Sequence, residues 1–469
     1  MKRRLRVYKK TVSIVNETAT GMYESLVGDK KGFLLESYDK NYDRYTFFGK
    51  EPEEIISSRG NALVITKNDG TQEVRNGNPL ERLKEYYSEF DIVKDNEELS
   101  FSGGLVGNLG YDFVRYAEVL PDNNPDEIGI ETVQMMLMTK FIMVDHVAET
   151  LTGIILGEDT PEGREKSLEE AEELIRQALA NKGRAPEKNF TPDGVIVNQS
   201  DSLEQYSQKV EKIKEYIREG HIFQTVLSQR WTIETKQSGF ELYKELRELN
   251  PSPYLYYFNY GDFEVIGSSP EMIVKQQGNR VYTCPIAGTR KRGADAEEDA
   301  LLRDELLQDE KERAEHVMLV DLARNDMGRI SEFGTVKVTQ FMEVQNYSHV
   351  MHIVSMVEGR KKGEFHPLDL VSSFLPAGTL SGAPKIRAME IIDELESVRR
   401  GLYGGATGYI DFSGDMDFCI TIRTMIKKGK RVYLQAGAGI VADSIPENEY
   451  QECCNKVMAL AKTLMHYIH

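Results

Sequence analysis

The sequence predicts an α+β protein built on antiparallel sheets. Two observations carry this: strand-like and helix-like stretches are segregated rather than alternating, and residues 1–157 are mostly strand-like. In that first part, "FSGGLVGNLGYDFV" reads as a Gly-punctuated strand pair. "QMMLMTKFIMVDHVAETLTGIIL" reads as a hairpin of two β-rich runs. Residues 161–180 form a polar, acidic helix. The loose "NKGRAPEKNFTPDG" after it marks a boundary, which divides the chain into an N-terminal region, 1–190, and a second domain, 191–469. Tyr206, Val210, Ile213 and Ile217 then recur at helical spacing, with Gly220 as a stop. Strands are expected over 263–287 around "QQGN", a long helix over 295–327, strands at 348–357 and a helix at 383–397. A hairpin follows over 417–436 around "KKGK", and a last helix starts near 446. Ser444 and Glu447 fit a capping box there, with Pro446 in the first turn.

Composition narrows the function classes. The 469 residues are 40% hydrophobic and 29% charged, so a large core is expected. A net charge of −18 argues against nucleic acid or an anionic membrane as partner, though not against a small anion held by a local basic cluster. Such a cluster occurs in "CPIAGTRKRG" (284–293), with Arg290, Lys291 and Arg292 beside the inert Ala287. Four scattered cysteines indicate a reducing compartment. The basic start lacks an apolar h-region, and "MMLMTKFIMV" is about half a membrane span and is interrupted by Lys140. A cytoplasmic protein is expected.

Two helices carry paired carboxylates. In "DEKERAEHVMLVDLARNDMGR", Glu312 and Glu315 are three apart and share a face, with Cβ atoms about 5–6 Å apart. "SIPENEYQECCNK" repeats the pattern with Glu449 and Glu452, followed one turn later by Lys456. Facing pairs would repel unless a cation sat between them, and oxygen-only ligands suit Mg²⁺. For any single pair, a solvated helix face is the favoured reading. In "YSHVMHIVS", alternation sets His349 and His352 on opposite faces, so they are not a ligand pair. In "FCITIRTM", Phe418, Ile420 and Ile422 form the apolar face and Arg423 projects from the other with Thr421. "QAGAG" (435–439) and "GTLSGAPK" (378–385) offer Gly-lined backbone amides without matching a nucleotide fingerprint, and "SSPEMIV" puts Glu271 at a strand start.

Together these stretches resemble the chorismate-utilising enzymes. "ERAEHVMLVDLARNDMGR", "VMHIVS", "GTLSGAPKIRAMEII", "YGGATGY", "IRT" and "QAGAGIVADSIPENEYQECCNK" stand in that family's order, and the match spans nearly the whole chain. The resemblance implies two antiparallel β-sheets packed as a sandwich and flanked by helices. It also implies roles. Glu315 and Glu452, with Glu449, would hold Mg²⁺, and Glu312 and Glu449 would support the site through water and hydrogen bonds. Tyr403, Arg423, Lys456 and the backbone at Gly437 and Gly439 would bind the carboxylates of chorismate. Thr379, Ala287 and Thr289 would border the same pocket. Glu271 would protonate the departing C4 hydroxyl, and His352 would serve the later loss of the enolpyruvyl group.

The loop around Ala287 then becomes informative. Relatives that attack the ring covalently carry a lysine in "PIKGT", and those that add water use a lysine at the position of Gln224 in "IFQTVLSQR". With neither lysine, ammonia is the implied nucleophile, as in the anthranilate synthase component I branch. A glutamine amidotransferase subunit would supply it within a hetero-oligomer. "LLES" (34–37), before "YTFFG", and "NPSPYLYY" (250–257) resemble that branch's feedback pocket for tryptophan as inhibitor. Leu35, Glu36, Ser37, Asn250, Pro251, Leu255 and Tyr256 would line it. Two other readings stand beside this one: an enzyme that stops at 2-amino-2-deoxyisochorismate, and a non-catalytic sensor of chorismate or aromatic acids. Cys453 and Cys454, next to Glu452, and Asn108, where Tyr is common, depart from the family pattern.

Overall fold

The computed structural model describes residues 2–15, 17–37, 44–93, 99–180, 190–347 and 350–465. His349 and most of "NKGRAPEKNFTPDG" lie outside them. The described residues form a thirteen-stranded and a twelve-stranded sheet, with helices against them. Nearly all pairings are antiparallel; Arg3–Ser13 beside Phe90–Val93 is a parallel one. Strands from both halves of the chain are hydrogen-bonded neighbours in both sheets. Gly32–Glu36 pairs with Tyr254–Asn259 in one, and Gly104–Leu109 pairs with Ala406–Asp411 in the other. Among the described residues, no helix is long and apolar enough to cross a membrane.

At four short corners among the described residues the chain passes from one sheet to the other without a helix, the first from Tyr45–Lys50 to Glu54–Ser58. Val133–Met138 lies in one sheet and Lys140–Asp145 in the other, so the expected hairpin around residues 134–156 is three strands in two sheets. Glu264–Ser269 passes to Met272–Gln277 through Pro270 and Glu271. Met416–Ile420 passes to Thr424–Lys428 through Arg423, so only Thr424–Lys428 and Arg431–Ile440 form the hairpin expected over 417–436. Two-residue alternation reports which face a side chain takes, not which sheet the strand joins, and this is why the corners are invisible in the pattern.

Other differences have local causes. "FSGGLVGNLGYDFV" gives one strand, Gly104–Leu109, then a 3₁₀ turn, Tyr111–Tyr116, because the amides of Gly110 and Tyr111 donate to Thr132 and Gly401 instead of to a partner strand. Gly107 is at φ 155°, and a Cβ there would fall 2.2 Å from the Gln134 carbonyl oxygen. The expected long helix is two, Ala296–Gln308 and Glu310–Ile330. Asp309 breaks it by leaving helical ψ, and its carboxylate caps the second by accepting from the amides of Lys311 and Glu312. The final helix, Pro446–Ala461, takes Ile445 as N-cap rather than Ser444. The Ser444 hydroxyl accepts instead from the Val441 amide, so no capping box forms. Lys337–Asn346 is a strand the sequence pattern did not reveal, bulged against Val350–Arg360.

Candidate active site

Two of the corners meet. The Ile420 amide donates to the Glu271 carbonyl at 2.9 Å, and the Ser268 amide donates to the Arg423 carbonyl at 3.1 Å. Arg423 has φ 51°, a left-handed conformation that removes it from strand alternation. Ile422 and Arg423 therefore line the same cavity, against the expectation that they point to opposite faces. This cavity, of about 210 Å³, is walled by Gln224 and Val226, by Gln435 to Gly437 with Gly439, and by Ile286 and Ala287. Thr379, Leu380 and Tyr403 complete the wall. Glu315 and Leu319 enter from one helix, Glu452, Lys456 and Leu460 from another.

Burial pushes the Glu271 carboxyl up to about 8, with the Thr379 hydrogen bond and the Lys456 charge opposing. The Thr379 hydroxyl donates to Glu271 Oε1 at 3.1 Å. Glu271 is thus protonated near neutrality, the state a proton donor needs. Burial lowers the Arg423 guanidinium, while Tyr403 and Glu452 raise it. Lys456 Nζ lies 2.6 Å from Glu452 Oε1 and donates to the Gly437 carbonyl at 2.8 Å. A Cβ at Gly439 would lie 2.6 Å from Gln224 Nε2, so any side chain there would displace the Gln224 amide. The buried Gln224 Oε1 has no hydrogen-bond partner among the described residues.

The Glu315 carboxyl is raised by burial, then by the negative charges of Glu312 and Glu452. Two carboxylates that repel in one cavity, with oxygen as the only donor, fit a hard divalent cation that leaves positions for substrate and water. The expected third ligand is not brought in. Glu449 is outside the lining, and its carboxyl is raised by burial while the Ser444 hydroxyl opposes through a hydrogen bond. Among the described residues no three His, Cys, Asp or Glu side chains form a ready metal cage. Glu312 also lies outside the lining, 3.3 Å from Arg290 Nη1.

Thr289 and His352 meet each other but do not line the cavity. The His352 Nδ1 is 2.9 Å from the Gly288 carbonyl and 3.1 Å from the Thr289 hydroxyl. Burial lowers its pKa, the Gly288 carbonyl opposes, and the charge of Arg423 lowers it further. The two arginines of the basic cluster are engaged, while Lys291 is exposed and lies outside the cavity lining. Arg290 bonds to Glu305, Asp309 and Glu312, and Arg292 to Asp299, so acids from the adjoining helices neutralise both arginines. Only Ala287 and Ile286 of that loop face the cavity.

The family model of chorismate binding enzymes matches residues 33–462. The chain belongs to the chorismate binding enzyme family. Anthranilate synthase component 1 of Acetivibrio thermocellus is 44% identical over 458 residues, covering 96% of this chain and 93% of that protein. The same-named protein of Aquifex aeolicus is 42% identical, covering 92% and 88%. The crystal structure of anthranilate synthase component I from Streptococcus pneumoniae superimposes with a TM-score of 0.77 at 40% identity, covering 89% of this chain and 92% of that one. The menaquinone-specific isochorismate synthase of Escherichia coli, at 17% identity and a TM-score of 0.73, shares the fold.

This family member has a second cavity, of about 150 Å³, lined by Leu35, Glu36, Ser37, Leu255 and Tyr256. Phe47 and Tyr254, from the quoted stretches, add to it, as do Lys275, Asp417 and Cys419, which the sequence did not mark. Asn250 and Pro251 are not in the lining. Asn250 instead ends the helix Gly239–Leu249, and its carbonyl accepts from the Ser268 hydroxyl. Glu36 is already bonded by Tyr243 and, at 3.1 Å, by Arg247. In the catalytic cavity, Gln435, Leu319, Leu460, Leu380 and Ile422 were also missed. Helical spacing could have found two of them, since Leu319 follows Glu315 by four residues and Leu460 follows Lys456 by four.

Proposed function

We infer that this chain is the component 1 of an anthranilate synthase, converting chorismate and ammonia into anthranilate and pyruvate. The observation that carries the reading is the cavity wall. It joins two half-buried cations, Arg423 and Lys456, and a protonated Glu271 to Gln224 and Ala287, and it contains a single lysine, Lys456, already bonded to Glu452 and the Gly437 carbonyl. With Ala287 and Gln224 where relatives that attack the ring or add water carry a lysine, an external ammonia is the favoured nucleophile.

Arg423, Lys456 and Tyr403 bind the substrate carboxylates. Glu271 gives its proton to the C4 oxygen as that bond breaks and ammonia adds at C2. His352, outside the lining, acts on the elimination that leaves anthranilate by holding the loop of Ala287 through the Gly288 carbonyl. Glu315 and Glu452 would hold a divalent cation, Mg²⁺, which when bound supplies positive charge for a substrate carboxylate. A separate glutamine amidotransferase subunit would furnish the ammonia in a cytoplasmic hetero-oligomer, and tryptophan would occupy the second cavity as inhibitor.

The test is to mix the purified chain with chorismate, Mg²⁺ and an ammonium salt, with and without tryptophan, and to identify the products by fluorescence and mass. Anthranilate plus pyruvate, lost on chelation, is expected. An amino product that keeps its enolpyruvyl group would overturn the reading.

A further inference from the structure

Glu271 faces a second void. It measures about 40 Å³ and is separated from the catalytic cavity by Glu271, Leu319 and Thr379, which line both. Its other polar walls are Thr283 and Asp326, and Leu322, Ala323 and Phe374 supply apolar ones. Met272, Leu322, Ala377, Gly378 and Thr379 are its half-buried members, so the void is not fully enclosed. Asp326 is 8% exposed and accepts from Lys385 Nζ at 2.7 Å. At ~10–15 Å³ of such volume per water, with four polar side chains around it, the void has room for a short file of water molecules.

The chemistry proposed for Glu271 creates a need for such a file. In each turnover its O–H bond breaks as the C4 oxygen gains the proton, and the C4–O electron pair leaves with that oxygen as water. Glu271 is left as a buried carboxylate and must regain a proton before the next turnover. Two other titratable groups act on it. Lys456 is engaged by Glu452, and the Cys284 thiol, pushed up to about 12 by burial, is a poor donor near neutrality. Lys385 and Arg329 are the charges that act on Asp326.

We propose that Asp326 and this void are the proton supply of Glu271: a proton from solvent passes through Asp326 and the enclosed water to the Glu271 carboxylate. The nitrogen added at C2 releases a proton to solvent in the same cycle, so the balance closes. The proposal rests on the reading of Glu271 as general acid.

The test follows anthranilate fluorescence by stopped flow at pH 7, where Glu271 begins the first turnover protonated. The full chain is used with chorismate, Mg²⁺ and ammonium. For Asp326→Asn, the expected record is one equivalent of product at the wild-type rate, then a steady state slower by about tenfold or more. Ala323→Leu, which fills the void without touching the ion pair, should give the same burst, and Asp326→Glu should restore steady turnover. Slowing of the first and later turnovers alike, or wild-type steady state in both void variants, would overturn the proposal. Glu271→Gln is the control: normal turnover in that variant removes the general acid itself, which is a different failure.

Discussion

Replacing Glu271 by Gln keeps the shape of the side chain and removes its titration. The structure gives two magnitudes for the consequence. A general acid contributes about 10²–10⁴-fold, so kcat should fall by that factor while the chorismate KM, which the proposed reading assigns to Arg423, Lys456 and Tyr403, should change little. The second effect is on stability. Burial lifts the folded-state pKa from 4.5 to about 8, a difference that corresponds to about 5 kcal/mol. Between those values the unfolded chain has lost the proton and the folded chain keeps it, so wild-type stability falls as pH rises through this window and then levels off. The Gln variant does not carry this slope. Denaturant unfolding at pH 5, 7 and 9 should therefore show the wild type losing about 4 kcal/mol of stability relative to the variant across that range. Parallel stability profiles would refute the burial argument. Undiminished kcat would refute the role in proton donation.

Three further outcomes are expected. Glu452→Gln should lower activity by about two orders of magnitude or more with an unchanged melting curve, and normal turnover would remove it from the metal site. Ala287→Lys puts an amine into the cavity wall and should block ammonia-dependent turnover; steady-state rates against ammonium concentration check this. Leu255→Trp, which fills the second cavity, should weaken tryptophan inhibition at least about tenfold while leaving uninhibited kcat in place. An inhibition curve like the wild type would show that tryptophan acts elsewhere.

Much of the site was legible because helical spacing is local. Glu315, Glu452 and Lys456 reach the cavity from helices whose faces the sequence displays, and Ala287 and Gln224 follow from aligned motifs. The sheet content was legible for the same reason, since alternation marks strands. The partition into two sheets was not, because it depends on corners at Thr139, Glu271 and Arg423 where the backbone leaves the pattern for tertiary reasons. The break at Asp309 was hidden because a capping carboxylate and an ordinary helical one look alike in sequence. The basic loop misled because Asp299, Glu305, Asp309 and Glu312, the acids that neutralise its arginines, are brought to it only by the fold.

The meeting of the two corners also governs how the molecule can be perturbed from a distance. The strand Met416–Ile420 forms part of the second cavity through Asp417 and Cys419, and its chain then runs directly to Arg423. Because Glu271 and Arg423 are each tied to the opposite corner, a push on that strand turns them about a common fulcrum rather than one at a time. The acid and the carboxylate clamp thus keep their mutual spacing while shifting against groups borne by the helices, Glu315, Glu452 and Lys456. A small molecule beneath one strand can in this way misalign a complete constellation without breaking any part of it.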